Sequence, residues 1–96
     1  GLDTVAFSSW AGGAMAALNF IGVENEIVLC PSNTFMATPL SVINSGGKVE
    51  FVDCNRDDLC VSFSDFKSKA EKFKPKVAWV VHIGGHISFE IEKIVV

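Results

Sequence analysis

Ile27-Val28-Leu29-Cys30-Pro31-Ser32-Asn33-Thr34-Phe35-Met36-Ala37-Thr38-Pro39-Leu40-Ser41-Val42-Ile43-Asn44-Ser45-Gly46-Gly47-Lys48-Val49-Glu50-Phe51-Val52 is the stretch that decides the fold. Ile27 to Cys30 is apolar at every position rather than alternating, which suits a strand covered on both faces. Leu40 and Ile43 sit on the helix that follows. Pro39 belongs in its first turn, where a missing N–H costs little. Gly46-Gly47 end it with residues that tolerate positive φ. Val49 to Val52 is the next strand. Strand, helix and strand in this order imply parallel pairing through a right-handed crossover.

The pattern extends on both sides. Upstream, Val5-Ala6-Phe7 predicts a strand, and Ala14, Ala17, Leu18 and Ile21 recur at helical spacing. Downstream, Ser62-Phe63-Ser64-Asp65 reads as a capping box. The helix it opens has an apolar face of Phe63, Phe66, Ala70 and Phe73, a second face of Lys67, Lys69, Lys72 and Lys74, and a stop at Pro75. Val77 to Val81 is again apolar throughout. Ser88 to Val96 predicts a last helix, with Ile91, Ile94 and Val95 on one side and Glu90 and Glu92 near the positive end of its dipole. The order β-α-β-α-β-α-β-α gives an α/β fold class, a three-layer α-β-α arrangement around a parallel sheet. A short last helix and uncovered sheet edges predict that residues 1–96 form a single partial domain, a piece of a larger one.

Composition narrows the function. The chain has 96 residues, 49% hydrophobic and 20% charged, with a formal net charge of −3. That is too apolar for a disordered chain, and polar residues interrupt every stretch long enough to span a membrane. With neither basic runs nor an excess of Lys and Arg, nucleic acid and anionic membranes are not expected partners. The N-terminal residues have no secretory pattern, and Cys30, Cys54 and Cys60 lack framework spacing. Together these predict reduced thiols and a cytoplasmic location.

In open α/β sheets, ligands collect at the carboxyl ends of the strands. That rule selects Ser8 to Gly13, Pro31 to Phe35, Asp53 to Asp58 and His82 to His86. Ser8 to Gly13 offers backbone N–H groups to an anion at a helix start; a tight turn with glycines for close packing is the plainer account. Neither a dinucleotide fingerprint nor a P-loop is present. Ser32 or Thr34 is a candidate cap for the next helix, and Phe35 a ring on which a flat ligand can stack or a core side chain. His82 and His86 are four apart, but Gly84-Gly85 breaks any helix between them, and no further ligands stand at metal spacing. No metal site is expected, and Asp53, Asp57 and Asp58 read as turn formers.

Four segments together resemble the DegT/StrS family of sugar aminotransferases: Ser8 through Val23; Cys30-Pro31-Ser32-Asn33-Thr34-Phe35-Met36-Ala37-Thr38; Gly46-Gly47-Lys48-Val49-Glu50-Phe51-Val52-Asp53; and Val81-His82-Ile83-Gly84-Gly85. They stand in the family's order over nearly all of the chain. The resemblance implies the first part of the large domain of a type I pyridoxal-phosphate-dependent transferase. It implies pyridoxal 5′-phosphate as cofactor and transfer of an amino group from an amino acid, usually glutamate, to a keto sugar nucleotide. It also implies a homodimer when full length. Carried over by position, Trp10 and Ala11 occupy the family's Gly-Thr pair at the cofactor phosphate, with Gly12 beside them, and Phe35 occupies the ring-stacking position. Trp10 is bulky where Gly is the pattern, and Ala11 has no hydroxyl. Those departures keep open an alternative, a non-catalytic aminotransferase-like binding or scaffold subunit. The family's pyridine-pairing aspartate and Schiff-base lysine fall beyond Val96. Lys48 precedes a strand, the lysines between Lys67 and Lys76 belong to a solvated helix face or its exit, and Lys93 lies on the last helix. No catalytic residue is assigned, and the chain is not expected to catalyse alone.

Overall fold

The computed structural model describes residues 3–95. They form α1 (Trp10–Ile21), β1 (Ile27–Pro31), α2 (Ala37–Asn44), β2 (Lys48–Val52), α3 (Phe63–Phe73), β3 (Val77–Ala78) and α4 (Ile91–Val95), with a 3₁₀ turn at Ile83–Gly85. The strands make one parallel sheet in the order β2-β1-β3. β1 is central and buried on both faces, as its unbroken apolar run requires. Val28 and Cys30 join Leu18 of α1 and Val42 of α2 in one core, with Val49, Val77 and Trp79 packed against it. Leu29 joins Val52 and Val61 in a second core, against which Ile27, Phe66, Ala70, Ala78 and Ile94 pack. The sheet therefore lies between two helical layers.

The crossover from β1 to β2 runs one way across the sheet and the return from β2 to β3 runs the other. Keeping the same hand places α2 and α3 on opposite faces. The reversal creates a switch point between β1 and β3, and the crevice of such a fold opens outside their carboxyl ends. Gly47 is needed behind it, because a Cβ there would lie 2.8 Å from Val42 Cγ1.

Several local expectations change. Val5-Ala6-Phe7 is not a strand; Val5 and Phe7 are exposed, and the Phe7 ring instead covers the first turn of α1. A Cβ on Gly13 would meet that ring at 3.4 Å, so the glycines at this turn make room for Phe7. β3 is two residues long rather than five. Val77 and Ala78 pair in continuous register with Val28 and Leu29, and the Trp79 N–H makes the last bond, to the Leu29 carbonyl at 2.8 Å. Pro31 then has no N–H to continue the ladder. Val80 and Val81 consequently leave the sheet. The last helix begins at Ile91 rather than Ser88, and Val96 lies outside the described residues.

The capping box at α3 does not form. Ser62 Oγ meets Ser64 Oγ at 3.1 Å and makes no cap bond. The Asp65 carboxylate accepts the Asp53 N–H at 2.8 Å and pairs with Lys69 at 2.9 Å. Lys69 donates to the Phe51 carbonyl at 2.6 Å. β2 bonds to β1 through Lys48 and Val52, so by the two-residue period Phe51 and Asp53 turn their backbone groups to the outer edge. A lysine and a carboxylate from α3 thus satisfy an acceptor and a donor along that edge, a charge-assisted use that outcompetes a local cap. Lys69 is tied down rather than solvated, and so is Lys76, which donates to the Gly22 carbonyl at 2.9 Å.

Candidate functional site

A cleft of about 660 Å³ opens at the switch point, lined by residues 9–11, 34, 35, 37, 38 and 79–84. Three segments meet there: the start of α1, the loop from β1 into α2, and the chain that leaves β3. Three of the four stretches selected from the sequence thus converge, although the one at the start of α1 follows no strand.

Ser9 sets the α1 wall. It is the N-cap in extended conformation, and its hydroxyl accepts the Gly12 N–H at 3.2 Å. The first four amides of a helix lack intrahelical partners. Here Gly12 is already served by Ser9, and Gly12 is not among the lining residues, so it is withdrawn from anion binding. The amides of Trp10 and Ala11 remain at the positive end of the helix dipole.

Trp10 lines the cleft and does not close it. Its ring packs against Trp79 with centroids 5.4 Å apart and planes tilted by 55°. Below this contact, Trp79 Nε1 is a buried donor with no partner among the described residues. Phe35 also lines the cleft, 75% exposed, and is not a core side chain. Neither Ser32 nor Thr34 caps α2, whose N-cap is Met36 in helical conformation. Thr34 Oγ1 instead meets the buried Thr38 Oγ1 at 2.8 Å.

The remaining candidates have structural roles. Asp58 is buried and accepts the amides of Cys60 and Phe89, and these bonds hold its carboxyl below the usual carboxylate range. His86 Nε2 donates to the Asp58 carbonyl at 2.7 Å, while His82 Nδ1 accepts the Ser88 N–H at 3.0 Å. The two rings serve different bonds, and among the described residues no group of three His, Cys, Asp or Glu stands together. No helix among them is long and apolar enough to cross a membrane.

No lysine, arginine, aspartate or glutamate is among the lining residues. The wall offers hydroxyls, indole and backbone N–H groups, two helix starts and an exposed ring. Such a surface can offer unpaired amides at a helix start to an anion and an exposed ring for stacking.

The sequence pattern of the DegT/DnrJ/EryC1/StrS aminotransferase family matches residues 2–95. The chain belongs to this family. Among solved structures it is similar to a protein assigned as a PLP-dependent aminotransferase from Bacillus cereus ATCC 10987. The TM-score is 0.74 and the identity 29%, over 86% of this chain and 23% of that one. It is also similar to the sugar aminotransferase CalS13 from Micromonospora echinospora, with a TM-score of 0.67 and 25% identity, over 90% of this chain and 24% of that one. The chain thus spans about a quarter of the length of these relatives. No curated protein sequence matches it. The three-layer parallel architecture of this aminotransferase family member agrees with that of its neighbours.

Proposed function

We propose that the chain forms the phosphate-and-ring part of a pyridoxal 5′-phosphate site in an aminotransferase that moves an amino group from an amino acid, glutamate foremost, to a keto sugar nucleotide. The observation that carries this reading is the convergence of Trp10, Ala11 and Phe35 on one uncharged cleft in a member of this family. The amides of Trp10 and Ala11 hold the phosphate, and Phe35 holds the ring. Gly12 contributes by completing the turn, since its own amide is engaged. The cofactor, when bound, supplies an electron sink for the carbon that loses its proton. The chain's own residues bind and orient it; no lysine lines the cleft, and we assign none a catalytic role.

By the same reading residues 1–96 are one partial domain, the complete protein is a cytoplasmic homodimer, and its partners are the sugar and the amino donor, with no nucleic acid or membrane. A second reading, a binding or scaffold subunit without turnover, is favoured by Trp10 against Trp79 and by the missing hydroxyl at Ala11.

Both tryptophans of the chain line the cleft, so its indole emission reports on that site alone. Pyridoxamine 5′-phosphate is a suitable probe, because it cannot condense with surface lysines. Saturable quenching that inorganic phosphate reverses is expected; absence of quenching at millimolar probe refutes the cofactor site. Amino-group turnover by a protein carrying this chain separates the enzyme from the scaffold.

A further inference from the structure

His82 is the one titratable side chain among the described residues that line the cleft. Its ring is held: Nδ1 accepts the Ser88 N–H at 3.0 Å. An amide only donates, so Nδ1 carries no proton and the neutral ring keeps its proton on Nε2. Nε2 has no partner among the described residues. The hydroxyls of the wall are engaged, Ser9 Oγ with Gly12 and Thr34 with Thr38, while Trp79 Nε1 is buried without a partner among the described residues. The Trp10–Trp79 contact brings the start of α1 against the chain leaving β3, three residues before His82. His82 and the α1 amides thus line one cleft, on segments that touch through the two tryptophans.

We propose that His82 is a ligand-holding residue of the cleft, donating its Nε2–H to a phosphoryl oxygen, with the Ser88 amide positioning the ring. This rests on the cofactor reading above and adds a donor from a segment which that reading did not use. The cleft lacks a cationic side chain, so a phosphate depends on neutral donors and helix starts, and each donor carries a large share of the affinity.

The test compares the full chain with His82→Asn and His82→Gln. Asn keeps an acceptor near the Nδ1 position and loses the outer donor; Gln reaches the Nε2 position with an N–H. Quenching of Trp10 and Trp79 is titrated with pyridoxamine 5′-phosphate, with pyridoxamine, and by competition with inorganic phosphate. H82N is expected to bind both phosphates about tenfold more weakly, as befits one hydrogen bond to a charged group. Pyridoxamine affinity is expected to stay unchanged, and H82Q to recover most of the phosphate affinity. Wild-type phosphate affinity in H82N, or equal loss of pyridoxamine and its phosphate in both variants, overturns the assignment while leaving the cofactor reading intact. Failure of the wild-type chain to bind the phosphorylated probe overturns both. Thermal melts of the two variants identify misfolding; should H82N melt early, H82Q alone decides, since a purely structural histidine gives it no reason to favour phosphate.

Discussion

Truncating Phe35 to alanine isolates the stacking wall. The ring is 75% exposed, so its loss returns little apolar surface to water on unfolding, and stability should move by no more than about 0.5 kcal/mol. A ligand ring stacked there gains about 0.5–1.5 kcal/mol beyond area burial, and the covered face of Phe35 adds to that. The combined loss of about 1–2 kcal/mol corresponds to roughly 5- to 30-fold weaker binding. Indole quenching by pyridoxamine 5′-phosphate measures it, and urea unfolding measures stability. Two controls give the contrast. Phe66→Ala removes a ring packed on the Leu29, Val52 and Val61 core, at a cost of about 2–3 kcal/mol of stability, and Phe66 does not line the cleft. Phe20, 94% exposed on α1, should matter to neither measurement. If Phe35→Ala binds the probe like wild type, or loses stability as Phe66→Ala does, the ring is not a ligand wall.

Asp65 gives a pH dependence with a defined sign. The Lys69 and Asp53 bonds hold its carboxyl below the usual range, so it stabilises the fold above its unfolded pKa of about 3.9, and that contribution is lost as pH falls through the lower folded value. Asp65→Asn should therefore lose less stability between pH 7 and pH 3 than wild type; equal losses in urea melts would contradict the pairing. The thiols should differ in reactivity. Burial pushes Cys30 up to about 12, and Cys60 is buried as well, whereas Cys54 is half-buried. A thiol-disulfide reagent should titrate one cysteine in the native chain and three in denaturant; rapid native reaction at Cys30 would show that β1 opens readily.

The layers were legible because β1 is apolar at every residue and the helices keep their period, signals that burial on two faces imposes directly. Phe35 was legible as a cleft residue because the topology rule points to strand ends; Trp10 was selected by the same rule, yet it lines the cleft as the start of α1 with no strand before it. What failed was local. Three apolar residues, Val5 to Phe7, resemble a strand, yet a strand exists only with a partner, and Phe7 found α1 instead. The shortening of β3 depends on Pro31 in the neighbouring strand, a pairing no single segment displays. The engagement of Gly12 by Ser9 and of Asp65 by the β2 edge is likewise a competition between partners that only the folded arrangement resolves. His82 was legible only as a spacing partner of His86, a metal pairing that Gly84-Gly85 argues against. Its distinguishing feature, the Ser88 amide on Nδ1, arises from a tertiary turn.

Lys69 and Asp65 make the two margins of the sheet unequal. To dock beside Phe51, an incoming polypeptide would have to evict an ammonium and a carboxylate already bonded to the main chain there. Beside Ala78 no comparable plug exists among the described residues. Lateral growth of this architecture is therefore polarised: any added strand meets an electrostatic stopper on one flank and an unguarded seam on the other, the same seam from which Val80, Val81 and His82 depart.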